Sequence, residues 1–270
     1  MNVKGLTHNY NNYSIVEEQY SDFLLKWSIL VGYRGSIAHG MYRPNTNPNS
    51  IDDIDLMGVV IPPRDYYLGL VQETYPLFVK GVKEIMDDPY DVVMYEVQKF
   101  MSLLIKSNPN ALSLLWLDDD MYLKKTKVGQ LLIDNRDLFT TKEMYPHYIG
   151  YAHGQLQKMT HFSYEGYMGE KRKGLVEKYG FDTKNASHTI RILRMGIEFL
   201  ESGKLNVKRD DAEELLEIKD GKWTLEEIKE EAERLFAHSE VVRDRSTLPA
   251  HIDREKVSKL TQKILELELF

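Results

Sequence analysis

The stretch from Leu30 to Val60 constrains the fold more than any other part of the chain. It contains an apolar strand, a Gly35-Ser36 turn, a short helical segment, a polar loop and a second strand that starts with spaced aspartates. A glycine lets the backbone approach a phosphate closely, and Asp53 and Asp55 offer hard oxygen ligands for a divalent ion. The pattern is typical of a site for phosphoryl or nucleotidyl transfer.

The two aspartates are expected on the same face of the second strand. Side chains alternate along a strand, so Asp53 and Asp55 point to one side, within about 7 Å of each other along the strand. Two carboxylates at about 4 Å repel by roughly 4 kcal/mol at an effective dielectric of 20. We therefore expect a compensating ion, for which Mg²⁺ shared with substrate phosphates is the usual solution. The alternative is a turn in which Asp52 and Asp53 cap loop amides.

A third carboxylate is needed to orient and deprotonate an acceptor hydroxyl. The third predicted strand, residues 91–96, offers Asp91 and Glu96. Their positions differ in parity, so only one of them can face the aspartate pair on a regular strand. Asp91 is preferred, because Glu96 lies where the strand turns into a helix and is expected there as a solvated first-turn residue.

Basic residues recur on one face of a helix predicted in the second half of the chain. The side chains at positions i, i+4, i+7 and i+11 of this helix are Lys184, His188, Arg191 and Met195. Lysine and arginine on such a face can hold triphosphate oxygens, with His188 as a hydrogen-bond donor. The alternative is a solvated basic stripe. His39, beside the Gly-Ser turn, is expected to approach the nucleotide, or else to cap the short helical segment.

Hydrophobic periodicity outlines the other elements. A helix is expected at 15–27 after a polar arm at 1–13, a loop at 41–50, and a loop or short helical piece at 166–180. The first half contains three predicted strands, whereas the second half is almost wholly helical. Residues 120–140 therefore form a soft domain boundary.

Helix ends in the second half carry recognisable signals. Thr183 is expected to cap the long helix that runs through Glu201, and Ser202-Gly203 is expected to end it. Asp253 is expected to cap a last helix. These signals predict two helices with defined starting points.

Composition narrows the class of protein. The absence of cysteine excludes disulfides, thiol nucleophiles and cysteine-based zinc sites. No apolar run is long enough to cross a membrane, and no apolar segment typical of a signal peptide follows the first residues, so a cytoplasmic protein is expected. The net charge of −7 argues against broad binding to duplex nucleic acid. It leaves room for a small basic groove that binds a nucleotide or an RNA end.

The motifs resemble those of a known superfamily. Gly35-Ser36 followed by Asp53-Ile54-Asp55 resembles the Gly-Ser…Asp-x-Asp motif of the DNA polymerase β-type nucleotidyltransferases. Within that superfamily, the chain is similar to predicted nucleotidyltransferases associated with RNA repair. The stretches that carry this narrower match are 106–116, 181–191, and 246–249 with Asp253 beyond. The resemblance covers residues 28 to 255, with one departure: the gap from Ser36 to Asp53 is several residues longer than usual, and its extra loop, 44–50, lies where it can shape acceptor access.

The resemblance implies an α+β fold. A small mixed-sheet nucleotidyltransferase core flanked by helices would occupy residues 1–135, and a mainly helical C-terminal domain would occupy residues 136–270. It also implies two Mg²⁺ ions, with Mn²⁺ as an alternative, held by Asp53, Asp55 and a third acid, here Asp91. A nucleoside triphosphate such as ATP would bind at the Gly35-Ser36 turn. The resemblance further makes Lys184, His188 and Arg191 nucleotide-binding residues.

The predicted reaction transfers a nucleoside monophosphate from a nucleoside triphosphate to an acceptor hydroxyl and releases pyrophosphate. An RNA 3′ end or a tRNA is the first acceptor expected. A protein hydroxyl or a small molecule such as an aminoglycoside is the first alternative, slightly favoured by the acidic net charge. A nucleotide-binding module without turnover is the second alternative, against which the presence of all the expected carboxylates argues.

Overall fold

The chain folds into two compact units in a computed structural model. The structure describes residues 2–3, 6–7, 26–43, 52–69, 81–87, 90–160 and 170–270. The first unit comprises Met1–Phe139 together with Asp253–Phe270, and the second comprises Thr140–Ile252. The units differ from the two expected domains chiefly at the C-terminal end, where the last helix belongs to the first unit.

The first unit contains a five-stranded mixed sheet. Two short strands near the N-terminus, β1 (Asn2–Val3) and β2 (Leu6–Thr7), form a separate antiparallel pair within the predicted polar arm at 1–13. The strands of the larger sheet are β3 (Ser28–Tyr33), β4 (Ile54–Val60), β5 (Val82–Asp87), β6 (Tyr90–Glu96) and β7 (Tyr122–Lys125). Their order is β5-β6-β4-β3-β7, with β4 and β6 parallel and the other neighbours antiparallel. This sheet and the helices around it confirm the predicted α+β class.

Helices make up most of the remaining described chain. In chain order they are α1 (Gly35–Ala38), α2 (Arg64–Leu68), α3 (Val97–Ile105), α4 (Pro109–Leu115), α5 (Lys127–Asp134), α6 (Met144–Thr160), α7 (Glu170–Tyr179), α8 (Thr183–Ser202), α9 (Ala212–Lys219), α10 (Leu225–Arg245) and α11 (Arg254–Leu269). None of the described helices is long and apolar enough to cross a membrane.

The two central strands are buried along their length, which positions the site at their ends. Every residue of β3 is buried, and so is every residue of β4 except Asp55, which is half-buried. Strands with both faces covered are typically continuous apolar runs. On one face, a side chain at Gly32 would collide with Leu117, so the chain after α4 packs directly on the sheet.

The last helix completes the first unit. Its stripe of Val257, Leu260 and Ile264 is buried, and α11 packs against α3 and α5. As predicted, Asp253 caps it, because the side-chain carboxylate accepts a hydrogen bond from the Lys256 backbone N–H at 3.0 Å. Its apolar face thus covers elements far away in sequence.

The second unit is organised around α8, which packs against α6, α7, α9 and α10. Its N-cap is Asp182, whose carboxylate accepts from the Asn185 N–H at 2.9 Å, and not Thr183 as expected. The Thr183 hydroxyl donates instead to the Lys219 carbonyl at 2.8 Å, because it is buried against the end of α9. Gly203 ends the helix in the left-handed conformation, as predicted.

Several expected elements differ from the structure or lie outside the described residues. The predicted helix at 15–27 lies outside them except for its last two residues, and so does the extra loop at 44–50. Of the segment 166–180, the first four residues lie outside, and most of the remainder is α7. Strands β5 and β7 were not predicted, since short, partly polar edge strands lack a clear apolar alternation.

Candidate active site

Asp55 and Asp91 lie side by side on the two parallel strands of the sheet. They are direct partners in the register of β4 and β6. Paired residues of adjacent strands point to the same face, on strands about 4.8 Å apart. Both side chains are roughly a quarter exposed, at 26% and 30%. The sheet thus holds two carboxylates together at a surface that a substrate can reach.

The Gly35-Ser36 turn lies directly against this carboxylate pair. Gly35 has φ of 61°, a conformation that favours glycine. A β-carbon at this position would collide with the Asp55 carboxylate. The Arg34 backbone N–H also donates to the Asp55 carbonyl at 3.0 Å, which fixes the start of the turn on β4. The turn and the aspartate that were predicted to cooperate are therefore in contact.

Ser36 and His39 occupy the short helix α1 and its end. Ser36 is half-buried within α1. His39 is the C-cap residue, and its backbone N–H donates to the Gly35 carbonyl at 3.2 Å. Its side chain is buried, with 6% exposed. The backbone of His39 therefore caps α1. A contact between the His39 side chain and a nucleotide stays a prediction.

The two aspartates before β4 have different surroundings. Asp52 is buried, and its carboxylate accepts a hydrogen bond from the Arg43 N–H at 3.2 Å, so it does cap a loop amide. Asp53 is half-buried and lies just before the strand. Burial raises the pKa of the neighbouring Tyr42 hydroxyl, and the charges of Asp52 and Asp53 add to the effect. This phenol therefore stays protonated at neutral pH.

At the other end of β6, the Glu96 carboxylate is held by hydrogen bonds that have a structural role. Its carboxylate accepts from the Gln98 and Lys99 backbone N–H groups at 2.9 and 3.0 Å, and from the Tyr67 hydroxyl at 2.7 Å. It is 4% exposed, so it is a buried helix cap and not the solvated first-turn residue expected. Asp91, in contrast, lies beside Asp55, although its role as third acid stays a prediction.

The Asp55–Asp91 pair suits a divalent ion in part. Mg²⁺ is commonly held by one or two carboxylates, with substrate phosphates and water completing its shell, and the pair offers that donor set. Within the described residues, however, no three histidine or acidic side chains are grouped closely enough to hold an ion. Asp53 therefore does not complete a three-carboxylate site with the other two in this arrangement.

Arg34 supplies the positive charge that the carboxylates need. Its Nη2 atom lies 2.7 Å from the Asp91 Oδ2 and 3.5 Å from the Asp55 Oδ1. Burial raises the pKa of Tyr95, which lies on the same face of β6, and the charge of Arg34 partly opposes this shift. Arg34 was not predicted as a site residue from the sequence, although a basic residue directly before a phosphate-type turn is a signal for one.

The predicted basic face of α8 is a partly buried cluster in the second unit, where Arg191 is buried and Lys184 and His188 are half-buried. The Arg191 guanidinium lies 2.7 Å from the His188 Nδ1 and 3.2 Å from the Met195 sulfur, and it is 7% exposed. The Tyr151 ring packs edge-on against His188, with ring centroids 5.6 Å apart. Burial, with a contribution from Arg209, lowers the pKa of Arg191 to about 10. The guanidinium thus remains charged at neutral pH, and this face is not a solvated stripe.

Tyr148 lies beside this cluster, and Lys184 lies one turn before His188 on α8. Lys184 lies in the first turn of α8 and is half-buried. The Tyr148 side chain on α6 is fully buried near Arg191, and its hydroxyl has no hydrogen-bond partner among the described residues. Burial raises the pKa of this hydroxyl, so it stays protonated and able to donate.

Comparison with known proteins agrees with the motifs. The family described as RNA repair pathway DNA polymerase beta family, RlaP, matches residues 28–263. No curated protein matches the chain at a significant level. Among solved structures, the chain is similar to a nucleotidyltransferase-like protein from Exiguobacterium sibiricum 255-15, at 11% identity over 96% of this chain and 80% of that one, with a TM-score of 0.31. So low a TM-score supports no structural argument.

The family match therefore identifies the chain. It spans most of the 270 residues and includes the Gly-Ser turn, the aspartates and the basic helix. Polymerase β-like nucleotidyltransferases generally use divalent metals. The chain belongs to the RlaP family, the RNA repair pathway DNA polymerase beta family, and is a polymerase β-like nucleotidyltransferase.

Proposed function

We propose that this protein transfers a nucleoside monophosphate from a nucleoside triphosphate to an acceptor hydroxyl. The hydroxyl oxygen forms a bond to the α-phosphorus, the bond from that phosphorus to the β-phosphate oxygen breaks, and pyrophosphate leaves. The observation that carries the proposal is the Asp55–Asp91 pair in contact with the Gly35-Ser36 turn. It supports a site where carboxylates and a phosphate-binding backbone act on one substrate.

Each residue of this site has a proposed role. Asp55 and Asp91 would hold the divalent ions, whose charge stabilises the attacking and leaving oxygens when bound. Asp53 is proposed as a further ligand, which would have to move closer to the pair to bind them. Two Mg²⁺ ions are proposed, with Mn²⁺ as the alternative. Asp91 would also orient the acceptor hydroxyl and take its proton. The Gly35-Ser36 backbone and the Ser36 hydroxyl would bind triphosphate oxygens.

A second phosphate-binding group is proposed on α8. Arg191 remains charged although it is buried, and its guanidinium lies 2.7 Å from the His188 Nδ1 on the same helix face. Lys184, His188 and Arg191 would bind phosphate oxygens by charge-assisted hydrogen bonds. His39 is proposed as a further nucleotide contact near the turn.

The proposed acceptor is an RNA 3′ end or a tRNA. The family description, which names an RNA repair pathway, supports this choice. The net charge of −7 favours a protein or small-molecule hydroxyl as a second candidate, because an acidic protein has little electrostatic attraction for nucleic acid. A non-catalytic nucleotide-binding module is a third candidate, favoured by the lack of a three-carboxylate group among the described residues.

Labelled nucleotides offered with separate acceptor pools test the proposal. The purified protein is incubated with α-labelled ATP, GTP, CTP and UTP, Mg²⁺ or Mn²⁺, and RNA, protein or metabolite fractions. We expect label on RNA and release of pyrophosphate. Asp55→Asn and Asp91→Asn should each lower transfer by about 100-fold or more, and Asp53→Ala should do so if Asp53 binds metal.

A control variant and contrary outcomes sharpen this test. Asp137→Asn removes an exposed acid of the same unit and should leave transfer unchanged. Label on protein or metabolites instead of RNA would favour the second candidate. Tight nucleotide binding without pyrophosphate release in any pool would favour the third and contradict the proposed reaction.

A further inference from the structure

Arg34 contacts both carboxylates to which the proposed function assigns a divalent ion. Its Nη2 atom lies 2.7 Å from Asp91 and 3.5 Å from Asp55, so one nitrogen lies against both oxygens. A guanidinium carries a permanent positive charge at any physiological pH. The pair therefore already has a cation in the space between its two side chains.

The Arg34 side chain is held by fewer hydrogen bonds than Arg209 and Arg194, two arginines of the second unit. Within the described residues the Arg34 side chain donates one hydrogen bond, to Asp91, and its buried Nε has no partner. Arg209 donates from Nε, Nη1 and Nη2 to carboxylates at 2.7 to 2.8 Å. Arg194 makes four such bonds to three carboxylates. Arg34 lacks the multiple bonds that hold these structural arginines in place.

The backbone of Arg34, in contrast, is anchored. Its N–H donates to the Asp55 carbonyl at 3.0 Å, and the next residue is the glycine that contacts the Asp55 carboxylate. The side chain is 25% exposed. A fixed backbone with a partly exposed, singly bonded guanidinium lets the side chain leave the carboxylates without moving the turn.

We propose that Arg34 competes with the divalent ion for Asp55 and Asp91 and so sets the affinity of the site for that ion. This inference rests on the proposed function, since it takes these two carboxylates as ligands. An ion that binds the same oxygens lies within a few ångströms of the guanidinium, and like charges at that distance repel. The ion therefore binds as the Arg34 side chain withdraws, and removal of its charge strengthens ion binding.

Titration of Mn²⁺ into the full-length protein without nucleotide tests this proposal. Free Mn²⁺ is followed by electron paramagnetic resonance for the wild type, Arg34→Gln and Arg34→Lys. We expect Arg34→Gln to bind Mn²⁺ about tenfold more tightly than the wild type, and Arg34→Lys to lie between them, because a lysine keeps the charge but cannot match the planar guanidinium. Asp55→Asn and Asp91→Asn should remove this binding in the wild-type and Arg34→Gln backgrounds.

A matched variant and a second measurement separate competition from a structural role. Arg64→Gln removes the same charge from an exposed position on α2 of the same unit and should not change Mn²⁺ affinity. Chemical modification of arginine, resolved by mass spectrometry, should label Arg34 several-fold faster when Mn²⁺ is bound and Arg64 at an unchanged rate. An arginine that only supports the strands would show neither effect.

Two different results would contradict the competition, and they can be told apart. If Mn²⁺ binding depends on Asp55 and Asp91 but Arg34→Gln binds it no more tightly than the wild type, the competition is refuted and the proposed metal site stands. If no variant shows Mn²⁺ binding that depends on those aspartates, the metal site of the proposed function fails and the competition with it. Should Arg34→Gln not fold, as judged by circular dichroism, the Arg34→Lys affinity and the modification rate decide.

Discussion

At the scale of single residues, the site depends on how closely the Gly35-Ser36 turn approaches β4. Gly35 combines a φ of 61° with a position where any β-carbon meets the Asp55 carboxylate. Two separate physical reasons therefore require glycine, one from the backbone and one from the neighbouring side chain. A residue so constrained allows a sharp test.

Gly35→Ala should both destabilise the protein and impair the site. A non-glycine residue in the left-handed region costs about 1–3 kcal/mol, and displacement of Asp55 should lower nucleotidyl transfer by about 100-fold. Urea unfolding followed by circular dichroism gives the stability, and the labelled-nucleotide assay gives the activity.

Gly154→Ala is the matched control. Gly154 lies inside α6, where an added β-carbon meets nothing within 4 Å. Because alanine favours a helix more than glycine does, this change should be neutral or stabilise by up to about 1 kcal/mol. Equal losses in both variants would contradict a special role for Gly35.

The two acids of β6 should have different roles, Asp91 in catalysis and Glu96 in stability. Asp91→Asn should lower transfer by about 100-fold or more, with little loss of stability. Glu96→Ala should lower the free energy of unfolding by about 1–2 kcal/mol, because it removes an N-cap that accepts two backbone hydrogen bonds. The same two assays measure both effects. Full activity in Asp91→Asn, with loss in Glu96→Gln, would reverse the assignment.

At the scale of elements, α8, α9 and α10 are joined by arginine–carboxylate contacts. Arg194 on α8 donates to Asp211, Glu214 and Glu231, with N–O distances of 2.8 to 3.0 Å. Arg209 donates to Asp211 as well. Burial alone would raise the pKa of Asp211, but the hydrogen bonds from Arg209 and Arg194 outweigh it and hold the pKa below its usual value.

This network should make the second unit sensitive to acid. Because the pKa of Asp211 is lower in the folded protein than in the unfolded chain, its contribution is complete above about pH 4, the usual value for the unfolded chain. It is lost as the pH falls towards the lower folded value. Asp211→Asn should therefore lower stability at pH 7 by about 1–3 kcal/mol, with a smaller difference from the wild type in acid.

Tryptophan fluorescence makes this measurement specific to the second unit. Trp223 lies in that unit, whereas Trp27 and Trp116 lie in the first unit. Trp27 and Trp116 are therefore replaced by phenylalanine, so that the fluorescence reports on Trp223 alone. Urea unfolding is then followed at pH 7, 5, 4 and 3. A wild-type curve parallel to that of Asp211→Asn over this range would contradict the expected linkage.

At the scale of the whole molecule, the last helix, α11, completes the core of the first unit. Helix α11 follows the second unit in sequence yet packs against α3 and α5. Contacts between segments so far apart depend on burial of apolar side chains and not on local preference. The stability of the first unit should therefore respond to α11.

Ile264→Ala should destabilise the first unit by about 2–5 kcal/mol, because Ile264 is fully buried and its truncation leaves a cavity. Leu267→Ala, one turn further along the same helix, removes a side chain that is 60% exposed and should change stability by less than about 0.5 kcal/mol. Urea unfolding in a background that keeps Trp116 alone compares them. Similar effects of the two changes would show that α11 does not complete the core.

Local features of this protein were predictable from the sequence alone. The strands on either side of Gly35-Ser36, the caps at Asp253 and Gly203, and the helical second half follow from apolar periodicity and from hydrogen bonds between near neighbours. The Gly35-Ser36 and Asp53-Ile54-Asp55 halves of the family motif are each short, local patterns as well. Such features depend on residues a few positions apart, so one sequence contains the information.

Only the tertiary structure decided which distant residues meet. The register of β4 and β6 places Asp91 beside Asp55, and the guanidinium of Arg34 reaches a carboxylate 57 positions away. The edge strands β5 and β7 and the return of α11 to the first unit were likewise not readable from local pattern. The physical reason is that strand pairing and helix packing depend on how much apolar surface is buried across the whole unit. Periodicity and helix caps, in contrast, depend only on neighbours along the chain.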